Sequence, residues 1–208
     1  MTTLKNRSYQ AALFSVLASN VLVFLVFAGI RLRLPTQMVD AIHHLNLLAP
    51  AGIGFIVVGV LNSQLSANTK AQIVFAKWSH PLPGARAFTY FGPNDSRVDM
   101  VKLAQKMGKL PTDPAQQDRT WYGLYSPLKD DPRILNIHKD YLFYRDYAAA
   151  AAIILVVLPI AALWFIKSWS SELIYIVLLL LQATLTIRAA RDRGERLVTT
   201  VLAIASHG

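Results

Sequence analysis

The sequence predicts an all-α integral membrane protein with four transmembrane helices, both termini cytoplasmic, and a small helical cytoplasmic cap between helices 2 and 3. Three observations predict it. Charge is scarce: 16% of the 208 residues are charged and 54% are apolar, where soluble domains carry about 25% charged residues. The scarcity is concentrated in four blocks of chain. Basic residues are distributed unevenly around those blocks, and the formal net charge is +9.

A spanning helix needs about 20 mostly apolar residues, because the hydrocarbon core is ~30 Å thick and each residue rises about 1.5 Å. Residues 11–30 contain no charge. Lys5 and Arg7 precede this run as in a secretory signal. The run outlasts a signal core of ~7–15 residues and no small-x-small cleavage site follows, so it reads as an uncleaved signal anchor. Residues 45–65 and 147–166 form the second and third uncharged spans. The fourth has only fifteen uncharged residues, Leu173 to Ile187. It reaches full length, as a span of 169–187, by recruiting Trp169 to Glu172, with Glu172 near the headgroups.

Lys and Arg accumulate on the cytoplasmic side of membrane proteins. Two basic residues lie before the first span, two in 31–44, twelve in 64–146, one in the turn 167–172 and four after Ile187. Both termini inside gives eighteen basic residues inside against three outside. Trp164 and Trp169 then mark the outer interface, as aromatic belts do. Residues 36–44 carry an interfacial helix, with Met38, Val39, Ile42 and Leu45 at helical spacing. The turn at 167–172 makes spans three and four an antiparallel hairpin.

The chain thus divides into a first transmembrane pair (1–65), a cytoplasmic helical region (66–146), a second transmembrane pair (147–187) and an amphipathic cytoplasmic tail (188–208). Within the region 66–146 the second span continues inward over 69–78. The stretch from His80 to Phe88, with two prolines and a glycine, reads as rigid and extended. Ser96-x-x-Asp99 resembles a capping box for a helix over 98–107, ended by Gly108. Asp113-Pro114 starts a helix running to about Tyr125, and Asp131-Pro132 repeats the signal for one entering the third span.

Catalysis is not predicted. Cysteine is absent, which excludes disulfides, thiolate metal sites and cysteine nucleophiles. No H-E-x-x-H, G-x-S-x-G or P-loop is present. His43 and His44 are adjacent, so a helix points them about 100° apart, away from one common ligand. A pairing of His80 with His138 beside Asp95, Asp99 or Asp140 is the weak hydrolytic alternative, a membrane enzyme on lipid-linked substrates. No cofactor and no metal is expected.

Polar residues inside spans tend to face other helices or water, because lipid penalises them. Asn20, Gln182 and Thr186 are such residues, and Gly52, Gly54 and Gly59 permit close helix contact. Together they are candidates for helix packing or for a pore lining, with homo-oligomerisation the sharper reading. In the cap, His80, Arg86, Phe88, Arg97, Lys102, Lys106, Trp121 and Tyr122 are candidates for binding a partner, and Phe88, Trp121 and Tyr122 also count among the apolar residues of a modest core. Residues 64–146 carry twelve basic and eight acidic residues, a net +4. Basic residues beside a bilayer attract anionic lipid, and the interspersed acids argue against direct nucleic-acid binding. The expected partners are the lipid bilayer, a second copy of the chain and a soluble cytoplasmic protein.

The stretches Lys77-Trp-Ser-His-Pro-Leu-Pro-Gly-Ala-Arg-Ala-Phe88 and Leu110-Pro-Thr-Asp-Pro114 look similar to those of bacterial four-helix membrane proteins. In size and hydropathy plan the whole chain resembles membrane components of bacterial antiphage systems, such as the Kiwa membrane subunit or four-helix effectors of CBASS. The resemblance implies a multi-pass protein of the bacterial inner membrane with a role in antiviral defence. Its two forms are an anchor that senses or recruits a cytoplasmic partner, and a pore-forming or membrane-disrupting effector gated by its cap.

Overall fold

The computed structural model describes residues 7–28, 56–166 and 168–207. The predicted interfacial helix 36–44, the outer part of the second span, and Gly52 and Gly54 lie outside these residues. Every regular element among the described residues is helical. Helix α1 spans Arg7–Phe27, α2 covers residues 56–64 and α3 spans Ala67–Phe75. A 3₁₀ turn (Pro83–Arg86), a π-helical turn (Ala87–Phe91) and the short α4 (Gly92–Asn94) follow. Then come α5 (Met100–Met107), α6 (Pro114–Leu128), α7 (Pro132–Phe165) and α8 (Trp169–His207).

Three helices are long and apolar enough to cross a membrane: Tyr9–Phe27 within α1, then α7 and α8. The second expected span, 45–65, falls largely outside the described residues. Helix α7 has 34 residues and α8 has 39, so at about 1.5 Å per residue they run roughly 51 and 58 Å. Both exceed a ~30 Å hydrocarbon core, and each changes character along its length. The chain divides accordingly into two compact units. The apolar unit holds the described parts of Lys5–Leu65 and Asp146–Leu185; the polar unit holds those of Ser66–Arg145 and Thr186–Gly208.

The apolar unit is built on a cluster of Leu17, Phe24, Leu25 and Val58 with Ala150, Ile154, Ala162, Tyr175 and Leu179. Phe24 meets Phe165 edge-on at 6.0 Å between ring centres, and Phe24 and Phe27 lie 5.9 and 5.4 Å from Tyr175. Much of the remaining hydrophobic surface, including Phe14, Leu22, Val26, Ile160 and Leu163, is exposed. Backbone polar groups in lipid must be satisfied within the segment, which is why these runs are helices.

The polar unit buries a continuous stripe of α8, Ala190, Leu197, Val198, Val201 and Leu202, at helical spacing. Phe88, Phe91, Leu103, Trp121 and Ile134 are buried in the same unit, and Trp121 reaches the stripe at the Val198 carbonyl. Helix α6 contributes Gln117, Trp121 and Tyr125, one residue per turn. Gly84 exists to let the 3₁₀ turn approach α6: a Cβ there would lie 2.9 Å from the Trp121 ring and collide with the Asp118 carboxylate.

Several local expectations are corrected. The second span does not continue inward unbroken. Ser66 starts a separate helix, its hydroxyl accepting from the Thr69 N–H, and α3 ends at a left-handed Ala76. Residues 83–91 are wound, not extended, because Gln117 offers partners to the wound backbone, as described below. The cap of α5 is Asp99, whose carboxylate accepts from Lys102 N–H, rather than Ser96. Helix α6 continues past Tyr125 to Leu128, accommodating Pro127.

Candidate functional site

Gln117 organises the polar unit. It is 1% exposed, and its Oε1 accepts from the N–H groups of Phe88 (3.0 Å) and Thr89 (3.2 Å). Its Nε2 donates to the Thr112 carbonyl at 2.9 Å. A buried side chain thus satisfies backbone donors at the start of the π-helical turn, a place where they would otherwise be orphaned. Trp121, one turn along α6, stacks on Tyr125 at 5.4 Å and donates to the Val198 carbonyl at 3.4 Å. Tyr125 in turn shares a 2.7 Å hydrogen bond with His138 Nδ1. Burial, and secondarily Arg145, pushes the His138 pKa down to about 4, so this imidazole is neutral at ordinary pH.

Segment 95–107 is tied to the end of α8. Arg97 grips Asp95 with two bonds, of 3.0 and 2.6 Å, and donates to Thr199 Oγ1 at 3.0 Å. The guanidinium holds the Asp95 carboxyl well below the usual carboxylate range. The Asp99 N–H donates to Ser206 Oγ at 3.4 Å, Lys106 Nζ to the Ala205 carbonyl at 3.2 Å, and His207 Nε2 lies 3.3 Å from the Arg97 carbonyl. Lys102 reaches Asp99 at 3.6 Å. Three sequence candidates, Arg97, Lys102 and Lys106, therefore share one end of the polar unit, and all three are exposed. An open cleft of about 590 Å³ beside them is lined by Arg97, Arg133, Ala203, Ile204 and His207. Arg133 repeats the Arg97 arrangement: its bonds to Asp131 hold that carboxyl at about 2.

The other partner-binding candidates lie elsewhere. Phe88 and Trp121 are buried and form the unit's own core, because both flank the Gln117 contact. The Arg86 guanidinium lies between the rings of Phe75 and Phe91, 4.9 Å from each centre, and burial lowers its pKa. Tyr122 is exposed beside Tyr125. His80 is exposed, with a left-handed backbone (φ 47°). Asp118 feels its charge, although burial is the larger influence and raises the Asp118 pKa. His80 and His138 thus have different surroundings, and among the described residues no group of three or more His, Asp or Glu is placed to hold a metal.

In the apolar unit, Asn20 and Gln182 meet on one cleft of about 370 Å³. Its walls are Val16, Ser19, Asn20 and Val23 of α1, and Tyr175, Leu178, Leu179 and Gln182 of α8, with Tyr147 of α7. Gln182 Nε2 donates to the Tyr147 hydroxyl at 3.0 Å, and Asn20 Nδ2 donates to its own helix at the Val16 carbonyl, 2.9 Å. Thr186 is buried. Among the described residues, a Cβ on Gly59 would meet nothing within 4 Å.

No family model, curated protein or solved structure matches the chain. The site is read from its own chemistry. Sequence reasoning passed over Gln117, Tyr147 and Tyr175. The available signals were a lone polar residue on the 117/121/125 stripe, and the seven-residue spacing that puts Tyr175 and Gln182 on one helix face; Tyr147 carried none.

Proposed function

We propose that this chain is a homo-oligomeric, multi-pass component of the bacterial inner membrane that senses or recruits a soluble cytoplasmic partner. In this reading the polar unit and both termini are cytoplasmic, and the system served is antiviral defence. The observation that carries it is the clustering of exposed Arg97, Lys102 and Lys106 on the end of α8. Cations held in place by their own hydrogen bonds suit a partner with an acidic surface, whose encounter they would accelerate. The test is affinity purification in mild detergent at native expression, with the mass of the intact complex measured. A stoichiometric soluble protein lost on Arg97→Glu with Lys106→Glu supports the proposal. A homo-oligomer with nothing bound contradicts it.

The intramembrane cleft favours a second reading, a pore or membrane-disrupting effector gated by the polar unit. Asn20 and Gln182 line that cleft, as pore residues would. Triggered liposomes that leak ions, with conductance changed by Asn20→Leu or Gln182→Leu, would support this reading. Tight liposomes would rule it out.

A further inference from the structure

We infer that the cleft between α6 and the loop that follows α5 is a binding site for the phosphate group of an organic phosphomonoester, held by Lys109 and Arg119. The cleft is open, about 570 Å³ in volume, and no acidic residue lines it. That volume lies within the ~300–1,000 Å³ of ligand sites, which set a few placed polar groups among apolar walls. Lys109 comes from the loop and Arg119 from α6. Neither has an ion pair or hydrogen bond among the described residues. Arg97 and Arg133, at the cleft beside the end of α8, differ: they already hold Asp95 and Asp131 at 2.6 and 2.7 Å. The acids nearest to Arg119 in sequence have other tasks. Asp113 caps α6, accepting from the Gln116 N–H at 3.0 Å, and Asp118 lies against Gly84. Two cations without counter-ions in one concavity favour a dianion there. A carboxylate offers one charge and two oxygens, whereas a phosphomonoester carries about −1.5 to −2 at pH 7 and three acceptor oxygens. The hydroxyls of Thr112 and Thr120 add donors, and Met107, Leu110 and Pro111 form an apolar wall for the body of the ester.

The second observation is that the loop is fixed at both ends. The Gly108 N–H donates to the Ala104 carbonyl at 2.9 Å, and the Gly108 backbone has φ 77° and ψ −148°. A Cβ there would meet nothing within 4 Å, so the backbone conformation, rather than space, calls for glycine. It turns the chain back from α5 toward α6. Four residues on, the Thr112 carbonyl accepts from the buried Gln117 Nε2 at 2.9 Å. Lys109 is therefore carried on a segment anchored before and after it, and binding need order little new chain. Arg97, Lys102 and Lys106 do not line this cleft, so the site is independent of the partner surface proposed above.

The experiment uses the full chain in nanodiscs of palmitoyl-oleoyl phosphatidylcholine, titrated with para-fluorophenyl phosphate and followed by the line width of its fluorine NMR signal. The expected result is saturable binding of one probe per chain. The matching sulfonate, para-fluorobenzenesulfonate, has the same ring and a single charge, and should bind at least about fivefold more weakly. Lys109→Gln and Arg119→Gln should each weaken the phosphate probe at least about fivefold, the loss of one charge-assisted hydrogen bond. Arg133→Gln removes an exposed cation outside the cleft and should change nothing. All three side chains are exposed, and unchanged gel filtration and thermal unfolding serve as folding controls. Binding that does not saturate, equal affinity for phosphate and sulfonate, or a loss with Arg133→Gln as large as with Arg119→Gln overturns the inference. A last arm distinguishes the source of the phosphate, with phosphatidic acid added to the nanodiscs and phosphatidylglycerol as the control of equal sign. Displacement of the probe by phosphatidic acid beyond that by phosphatidylglycerol supports the site with a lipid headgroup as its ligand. Equal probe binding with the two lipids supports it with a soluble phosphomonoester. Failure of every probe overturns the site and leaves the partner surface at Arg97 standing.

Discussion

The two units bury side chains to different ends. In the polar unit, bulky apolar residues such as Phe88, Leu103, Trp121, Ile134 and Leu202 are enclosed, and named hydrogen bonds from Gln117, Trp121 and Arg97 fix how they meet. In the apolar unit, leucine, valine and phenylalanine side chains stand exposed along α1, α7 and α8, while a cluster that includes Leu17, Phe24, Ile154, Tyr175 and Leu179 is closed. The comparison is sharpest at two valines of equal exposure: Val101 on α5 and Val156 on α7 are both 66% exposed. An isolated apolar residue at a water-facing surface is ordinary. A whole face of them is stable only if the surrounding medium is itself apolar. Exposure alone therefore says nothing about a residue's solvent; its neighbours do.

The largest effect should separate those two valines. Val156→Asp should cost about 2.5–3.5 kcal/mol of membrane insertion, measured by the glycosylation state of an insertion reporter. Val101→Asp should change stability by less than about 0.5 kcal/mol, because it faces water in the first turn of α5, where an acidic residue is favourable. Next comes the polar unit's keystone. Gln117→Ala should destabilise that unit by roughly 2–4 kcal/mol, since the Phe88 and Thr89 donors lose their acceptor in a buried place; thermal unfolding followed by tryptophan fluorescence would show it. Gly84→Ala should cost about 1–3 kcal/mol by the same assay, through the clash with Trp121 and Asp118. A smaller loss is expected at the counterpart of Gln117 in the other unit. Gln182→Leu should cost below about 1 kcal/mol in detergent unfolding, because interhelical hydrogen bonds in membranes contribute little on average.

The sequence made the helical class legible, as well as the three long apolar helices, because runs without charge have one physical meaning in a bilayer. It also made legible the continuity of α7 and α8 past their apolar parts: no proline or glycine cluster interrupts Ile134 to Tyr147, or Arg188 to Ser206. The stretch from His80 to Phe88 was misread because prolines and glycine suggest an extended chain, whereas Gln117, almost thirty residues away, supplies the acceptors that let it coil. Non-local hydrogen bonds of that kind leave no local pattern. Arg97, Lys102 and Lys106 could be chosen individually as exposed cations, but their convergence depends on where the end of α8 lies. Phe88 and Trp121, named as partner-binding candidates, lie in the unit's own core, because residue type alone does not distinguish an interface aromatic from a core one.

The central claim is that one continuous helix, α7, passes from water into lipid. Single cysteines at Asn136 and Val156, both exposed on α7, test it in native membrane vesicles opened so that both faces are accessible. A sulfonated, membrane-impermeant maleimide should modify Asn136→Cys rapidly and leave Val156→Cys unmodified until detergent is added. Equal modification of both before detergent would show that the exposed face of α7 is bathed in water at Val156, and would contradict the account.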